Sequence, residues 1–299
     1  MTTATFLAQV SNQIELGYPG EAITRLTVML DLAADSSASL NEARRTLLGH
    51  PVFAMLAQEP AMAIARSCGQ DRINRLVSQI CAPQCTPALA ANALVLSQIM
   101  AASHFHRAIR ARVKHAGEML ARAWQDGRTI ALLGDSFDAE LAGLRGRDLS
   151  NMTITASTPE RAQALTALLG PSVRLTAQSP AQWLADAAGA GASCDLVYLP
   201  RAAEALDAAA LAGLLDQVAQ VLAPGGSIVA PAFLAGRIAR GWQQACLDWP
   251  VQDHTEAALT AACSPENLTT HMLGDQAGCF VWLIASQHDA NHCNRGERA

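Results

Sequence analysis

From Arg128 onward the sequence alternates short aliphatic runs with amphipathic segments, and that alternation commits this half of the chain to a parallel sheet with crossover helices. The runs fall at residues 129–133, 152–156, 173–176, 195–199 and 227–230, with a helix expected after each. The clearest helix, residues 205–222, ends in Ala223-Pro224-Gly225-Gly226, a turn that hands the chain to the next strand. Two further runs, 268–273 and 279–285, are separated only by Gly274-Asp275-Gln276-Ala277-Gly278. So short a loop makes them an antiparallel hairpin at the end of an otherwise parallel sheet. No internal repeat recurs at a fixed period.

Upstream the period changes. The first 125 or so residues are dense in Ala, Leu, Gln, Glu and Arg, with apolar positions three and four apart, as in Ile23, Leu26 and Leu30. Breaks at Gly17-Tyr18-Pro19-Gly20, Ser36-Ser37, Gly49-His50-Pro51, Glu59-Pro60 and between Pro83 and Pro87 cut this region into five or six helices. A long helix follows over 87–124, interrupted near Ser103 and closed by Asp126-Gly127. The expected organisation is a helical domain over 1–126, a sheet domain over 127–286 and a loose tail over 287–299.

Composition narrows the class of protein. With 299 residues, 51% of them hydrophobic, and a formal charge of −5, the chain can bury a large core and is not disordered. Acids outnumber bases and Lys114 is the only lysine, so nucleic acid is not an expected partner. The locally basic stretch Arg107, Arg110, Arg112, Lys114, Arg122 is spread around several helix faces and reads as a solvated surface. No apolar run approaches the roughly 20 residues of a bilayer span. Glu15 and Glu21, with no basic residue ahead of an apolar stretch, do not read as a signal peptide, so the expected setting is cytoplasmic. The eight cysteines are scattered and read as buried thiols. Cys81 and Cys85 with His104 and His106 have a spacing that zinc can use, and His288, His292 and Cys293 are weaker candidates. Without a second cysteine pair, small buried thiols in a helical region are the plainer reading, and no metal is expected.

In a doubly wound sheet, ligands bind beyond the carboxyl ends of the strands where strand order reverses. The loop after the first strand, Leu133-Gly134-Asp135-Ser136-Phe137, is therefore the place to look. Gly134 permits a tight turn, and the helix starting near Phe137 offers free N–H groups.

The order of elements, with Leu-Ala-Pro-Gly-Gly (222–226) before the fifth strand and a terminal hairpin, resembles the class I S-adenosylmethionine (SAM) dependent methyltransferases. That resemblance implies a Rossmann-like, seven-stranded doubly wound α/β sheet with an antiparallel terminal strand, preceded by an all-helical N-terminal domain. The stretch from Leu47 through Gly49-His50-Pro51 to Gln58-Glu59-Pro60 resembles the "HP…L..QDP" segment of the bacterial extracellular-factor family, linked to 3-hydroxypalmitate methyl ester synthesis. The stretch Arg240-Gly241-Trp242 through Asp248-Trp249, followed by His254-Thr255-Glu256, resembles that family's segment after its fifth strand.

The resemblance implies SAM as cofactor, with its methionine part against Gly134, Asp135 and Ser136. It places the ribose at Ala156 and Ser157, the adenine near Gln178 and Ser179, and Tyr198 toward the cofactor pocket. Three positions depart from the family pattern: Ser136 replaces a second glycine, Ala156 an acid for the ribose hydroxyls, and Ser179 an acid for adenine. Loss of a carboxylate that accepts two hydroxyls costs roughly 1.5–3 kcal/mol. Thr158 or Glu160 are possible substitutes one turn on. Near Arg66-Ser67-Cys68-Gly69-Gln70-Asp71 the family has a Gly-Tyr-Ala-Gly-Asp type loop, of which Gly69 and an acid remain.

Transfer from a sulfonium is an in-line displacement governed by positioning. A carboxylate acceptor needs a cation and no base, and Arg201 and Arg66 are the candidates, with an ordinary loop arginine the plain alternative for Arg201. A hydroxyl or amine acceptor needs a base, for which His254 or Asp253 could serve. His50 reads as a helix-boundary residue, and Trp183, Trp242 and Trp249 as packing residues, Trp242 lying where relatives cover the acceptor. The expected function is SAM-dependent methylation of a small molecule, with methyl ester formation on a carboxylate as one form. Two alternatives stand beside it. One is a protein that kept the fold without the chemistry and serves as a binding or partner subunit, with a protein partner or homodimer. The other is an enzyme that transfers or cyclises the aminobutyryl arm of SAM.

Overall fold

The computed structural model describes residues 2–67, 69, 71–83, 91–263 and 268–287. Cys68, Gln70, Cys85, His288, His292 and Cys293, and with them most of the expected tail, lie outside the described residues. The helical region contains α1 (Thr3–Glu15), α2 (Pro19–Ala33), α3 (Ser37–Leu48), α4 (Pro51–Leu56), α5 (Pro60–Ala65), α6 (Arg72–Cys81), α7 (Ala91–Ala102) and α8 (His104–Gln125). Then come β1 (Ile130–Leu132), α9 (Asp138–Leu141), β2 (Met152–Thr155), α10 (Pro159–Leu169), β3 (Arg174–Thr176), α11 (Pro180–Gly189) and β4 (Cys194–Tyr198). The rest is α12 (Ala202–Ala205), α13 (Ala208–Ala219), β5 (Leu222–Leu234), α14 (Arg240–Ala245), β6 (Asp253–His254), α15 (Glu256–Ala262), β7 (Leu268–Gly274) and β8 (Phe280–Gln287).

The chain divides into two compact units that are discontinuous in sequence. The first comprises Met1–Ala111, Gly236–Val251 and Ala277–Cys279; the second comprises Arg112–Ala235, Gln252–Gln276 and Phe280–Ala299.

In the first unit, the breaks read at Ser36, His50 and Glu59 are helix starts with side-chain caps, as is Thr2, whereas α2 starts at Tyr18 without one. Thr2, Ser36 and Glu59 accept from the backbone N–H groups of Thr5, Ser39 and Met62, and His50 Nδ1 accepts from Val52 N at 3.2 Å. Ser103 breaks the long helix as expected: its hydroxyl accepts from His106 N and so starts α8. Helix α14, far along the chain, packs on α2. The Asp31 carboxylate accepts from Ala239 N and Gly241 N, each at 2.7 Å. Gly241 approaches so closely that an added Cβ would lie 2.0 Å from Leu30 O. Trp242 and Trp249 are packing residues, the latter edge-on to Phe105 at 5.9 Å.

The second unit is the sheet, in the order β3-β2-β1-β4-β5-β8-β7, with the two-residue β6 alongside β5. Strands β1 to β5 run parallel, and β8 is antiparallel to both β5 and β7. The expected α/β class and the antiparallel hairpin are both observed, with the last strand inserted between β5 and β7. One face packs Leu184, Leu211, Leu215, Val218 and Leu259 from α11, α13 and α15. The other packs Ala116, Leu120, Ala123, Leu165 and Leu169 from α8 and α10. The expected helix over 205–222 is instead two, α12 and α13. The turn expected at 223–226 is an excursion inside β5. Leu222 pairs with Cys194 and Ser227 already with Leu196, so four residues face one step of β4. Gly226 makes this possible, since a Cβ there would lie 2.8 Å from Cys194 O.

Candidate functional site

Strand order reverses between β1 and β4, whose carboxyl ends carry the loops Leu133–Phe137 and Leu199–Arg201. The first loop is held from the β2 side. Gly134, at φ +104°, donates its N–H to Thr155 Oγ1 at 2.8 Å, and a Cβ built on it would meet nothing within 4 Å. Asp135 Oδ1 accepts from Ser157 N at 3.3 Å. Arg161 of α10 donates to Ser136 O and pairs with Asp138, each at 2.8 Å. The Ser136 hydroxyl is buried and has no partner among the described residues.

Beneath this loop lies a buried charge cluster that sequence reasoning missed. Arg112 of α8 is 1% exposed, so its reading as a solvated surface residue is corrected here. Its guanidinium pairs with Glu204 of α12, lies 3.4 Å from Glu140 of α9, and donates to Pro200 O at 2.5 Å. It also lies over the Phe137 ring, 4.7 Å from the centroid. Burial pushes the Glu140 carboxyl up to about 7, with Arg112 opposing. Burial works against the Arg112 charge too, but Glu204 and Glu140 outweigh it and hold that charge firmly. The Tyr198 hydroxyl lies beside Glu140, and burial together with that carboxylate raises it well above its ordinary value. Tyr198 is therefore part of the floor under the loop, fully buried in the sheet core.

Arg201 is half-buried, bonded through Nε to Glu204 at 3.2 Å and standing 5.5 Å from the Phe137 centroid. Arg66 belongs to the first unit, where its guanidinium lies over the Phe53 ring at 5.2 Å. His254 is buried with Nε2 2.7 Å from Ala203 O, so that nitrogen carries the proton and the ring acts as a strut.

At the positions expected for ribose and adenine the side chains are already engaged. Ala156 is buried and its N–H pairs with Thr176 O. Gln178 accepts from Thr176 Oγ1 and donates to Asp186, while Ser179 and Thr158 cap α11 and α10. Glu160 is bonded to its own N–H and to Thr158. The groups of this loop that the fold leaves unengaged are the open side of Gly134 and the buried Ser136 hydroxyl, whereas position 156 carries no side-chain acceptor. Among the described residues no group of three or more His, Cys, Asp or Glu could hold a metal ion. Arg112, Glu140 and Glu204 were hidden because a charge in an Ala-rich helix looks solvated. The only local hints were Glu140 in the first turn of its helix and Glu204 three residues after Arg201.

No protein-family model matches the chain, and no curated protein matches its sequence. Among solved structures it is similar to a possible exported protein from Bordetella parapertussis, with 19% identity, a TM-score of 0.53, and 96% of this chain and 95% of that one covered. It is also similar to the Burkholderia thailandensis 1,6-didemethyltoxoflavin-N1-methyltransferase, with S-adenosylhomocysteine bound (17% identity, TM-score 0.41, 70% and 95% covered). A third is the Synechocystis magnesium protoporphyrin IX methyltransferase, likewise with S-adenosylhomocysteine (12% identity, TM-score 0.45, 62% and 87% covered). The fold is a mostly parallel sheet with an antiparallel final strand, and a helical N-terminal region. No helix among the described residues is long and apolar enough to cross a membrane.

Proposed function

We propose that the chain binds SAM over the loop between β1 and α9 and passes its methyl group to a small carboxylic acid held by Arg201. The observation that carries this reading is the meeting, at the reversal of strand order, of the open Gly134 loop with the half-buried Arg201 beside Phe137. When bound, SAM supplies a methyl group on a positively charged sulfur, which an oriented nucleophile can displace. The remaining work is orientation, which this chain's residues would perform. Arg201 uses Nε on Glu204 and retains its two terminal amino groups, a fork that matches a carboxylate. Two guanidinium groups, Arg112 and Arg201, face Glu204 and a Glu140 that is partly protonated near neutrality, which favours an incoming anion. An ionised acid needs no general base, consistent with the engaged His254 Nε2.

A second reading, a binding or partner subunit without transfer, is favoured by Ala156, Gln178 and Ser179, whose side chains serve the fold. Calorimetric titration with SAM and with S-adenosylhomocysteine separates the two. Micromolar binding supports the enzyme, and no binding at millimolar ligand supports the partner subunit. If binding is found, Arg201→Ala is expected to lower turnover of a carboxylic acid about 100-fold or more while leaving SAM affinity within about threefold. Unchanged kinetics would remove Arg201 from the site.

A further inference from the structure

The alanine at position 156 leaves the adenosine ribose without the carboxylate that binds sugar hydroxyls at the end of the second strand in doubly wound folds. We propose that Asp135 supplies this carboxylate from the neighbouring loop, making the site selective for a ribonucleoside over its 2′-deoxy form. The inference rests on the SAM-binding reading above.

The geometry places the acid where the chain order does not. Asp135 follows β1, yet its Oδ1 is held by the N–H of Ser157, two residues past Thr155, the last residue of β2. Its carboxylate therefore stands at the carboxyl end of β2. With one oxygen anchored, the second remains available to accept from hydroxyl groups. No ion pair among the described residues includes Asp135, and the residue is half-buried. Three tethers fix the loop that carries it, all to the β2 side: Gly134 N to Thr155 Oγ1, Arg161 to Ser136 O, and Arg161 to Asp138. The other nearby acid, Glu160, is turned to its own helix start. Asp135 also differs from a mere turn support in a way that can be measured. A carboxylate that only holds Ser157 N–H is indifferent to a ligand's hydroxyls, whereas one that accepts from them is not.

The test is calorimetric titration of the full chain and of Asp135→Asn with S-adenosylhomocysteine and with its 2′-deoxyribose analogue. The asparagine keeps an oxygen for Ser157 N–H and removes the charge. The unaltered protein is expected to bind the ribose form about 10- to 100-fold more tightly than the deoxy form, and the variant to bind both alike at the weaker level. Equal binding of the two ligands by the unaltered protein overturns the inference without any variant. So does undiminished discrimination in Asp135→Asn. If the unaltered protein binds neither ligand at millimolar concentration, the SAM reading itself fails, an outcome distinct from the other two.

Discussion

Arg112 shows how one side chain can organise a site it does not face. Fully buried, it holds Glu204 and Glu140, and through Glu204 it sets the position of Arg201. Removing one member of such a group strands the others, which typically costs about 3–5 kcal/mol. The same burial makes Glu140 sensitive to pH. Its folded value, about 7, lies above its ordinary 4.5, so between these pH values the folded state binds the proton that the unfolded state has lost. Stability from this group is therefore complete below pH 4.5 and declines as pH rises toward 7. Glu140→Gln, which cannot ionise, is expected to lose this slope. Denaturant unfolding at pH 5 and pH 8 should show the stability gap between parent and variant shifting by about 2–3 kcal/mol in favour of the variant at the higher pH. A constant gap would mean that Glu140 titrates normally. None of this was legible locally: Arg112 lies in a basic run, and only packing made it an interior residue.

At the scale of elements, the sequence was most readable where punctuation and period agree. The first four parallel strands lie within about a residue of their expected places, the fifth extends beyond 227–230 at both ends to Leu222–Leu234, and Ser36, His50 and Ser103 start helices where the sequence broke. The segment 223–226 was misread because Pro-Gly-Gly signals a turn equally well between elements or inside a bulged strand. The segment around α14 carries a sharper constraint. Ala239 takes a left-handed φ of +66°, held by Asp31, and Gly241 sits against the α2 backbone at Leu30. In an exposed helix Gly→Ala stabilises by roughly 0.5–1 kcal/mol. Gly241→Ala is expected to do the reverse, destabilising by about 1–3 kcal/mol or more as backbone must move aside. Thermal unfolding that shows a rise in Tm would contradict the close approach.

For the whole molecule, the two compact units do not follow a single cut in the chain, since the sheet unit begins at Arg112, within α8. A fragment beginning at residue 128 would expose the partners of Ala116, Leu120 and Ala123 and leave Glu140 and Glu204 buried without Arg112. It is expected to lack the cooperative unfolding of the full chain by circular dichroism, and a sharp two-state transition in that fragment would refute this. The sequence by itself determined the class of fold, because strand and helix periods, loop lengths and the terminal hairpin are local properties that survive any one substitution. It also pointed to the loop at Gly134, since a doubly wound sheet reverses its strand order beside the first strand, and the observed order reverses there between β1 and β4. Only the tertiary structure decided which charges are interior and which loop carries a carboxylate to the end of β2. Those facts depend on burial and on contacts such as Asp135 to Ser157 and Arg112 to Glu204, between residues whose separation along the chain carries no periodic signal.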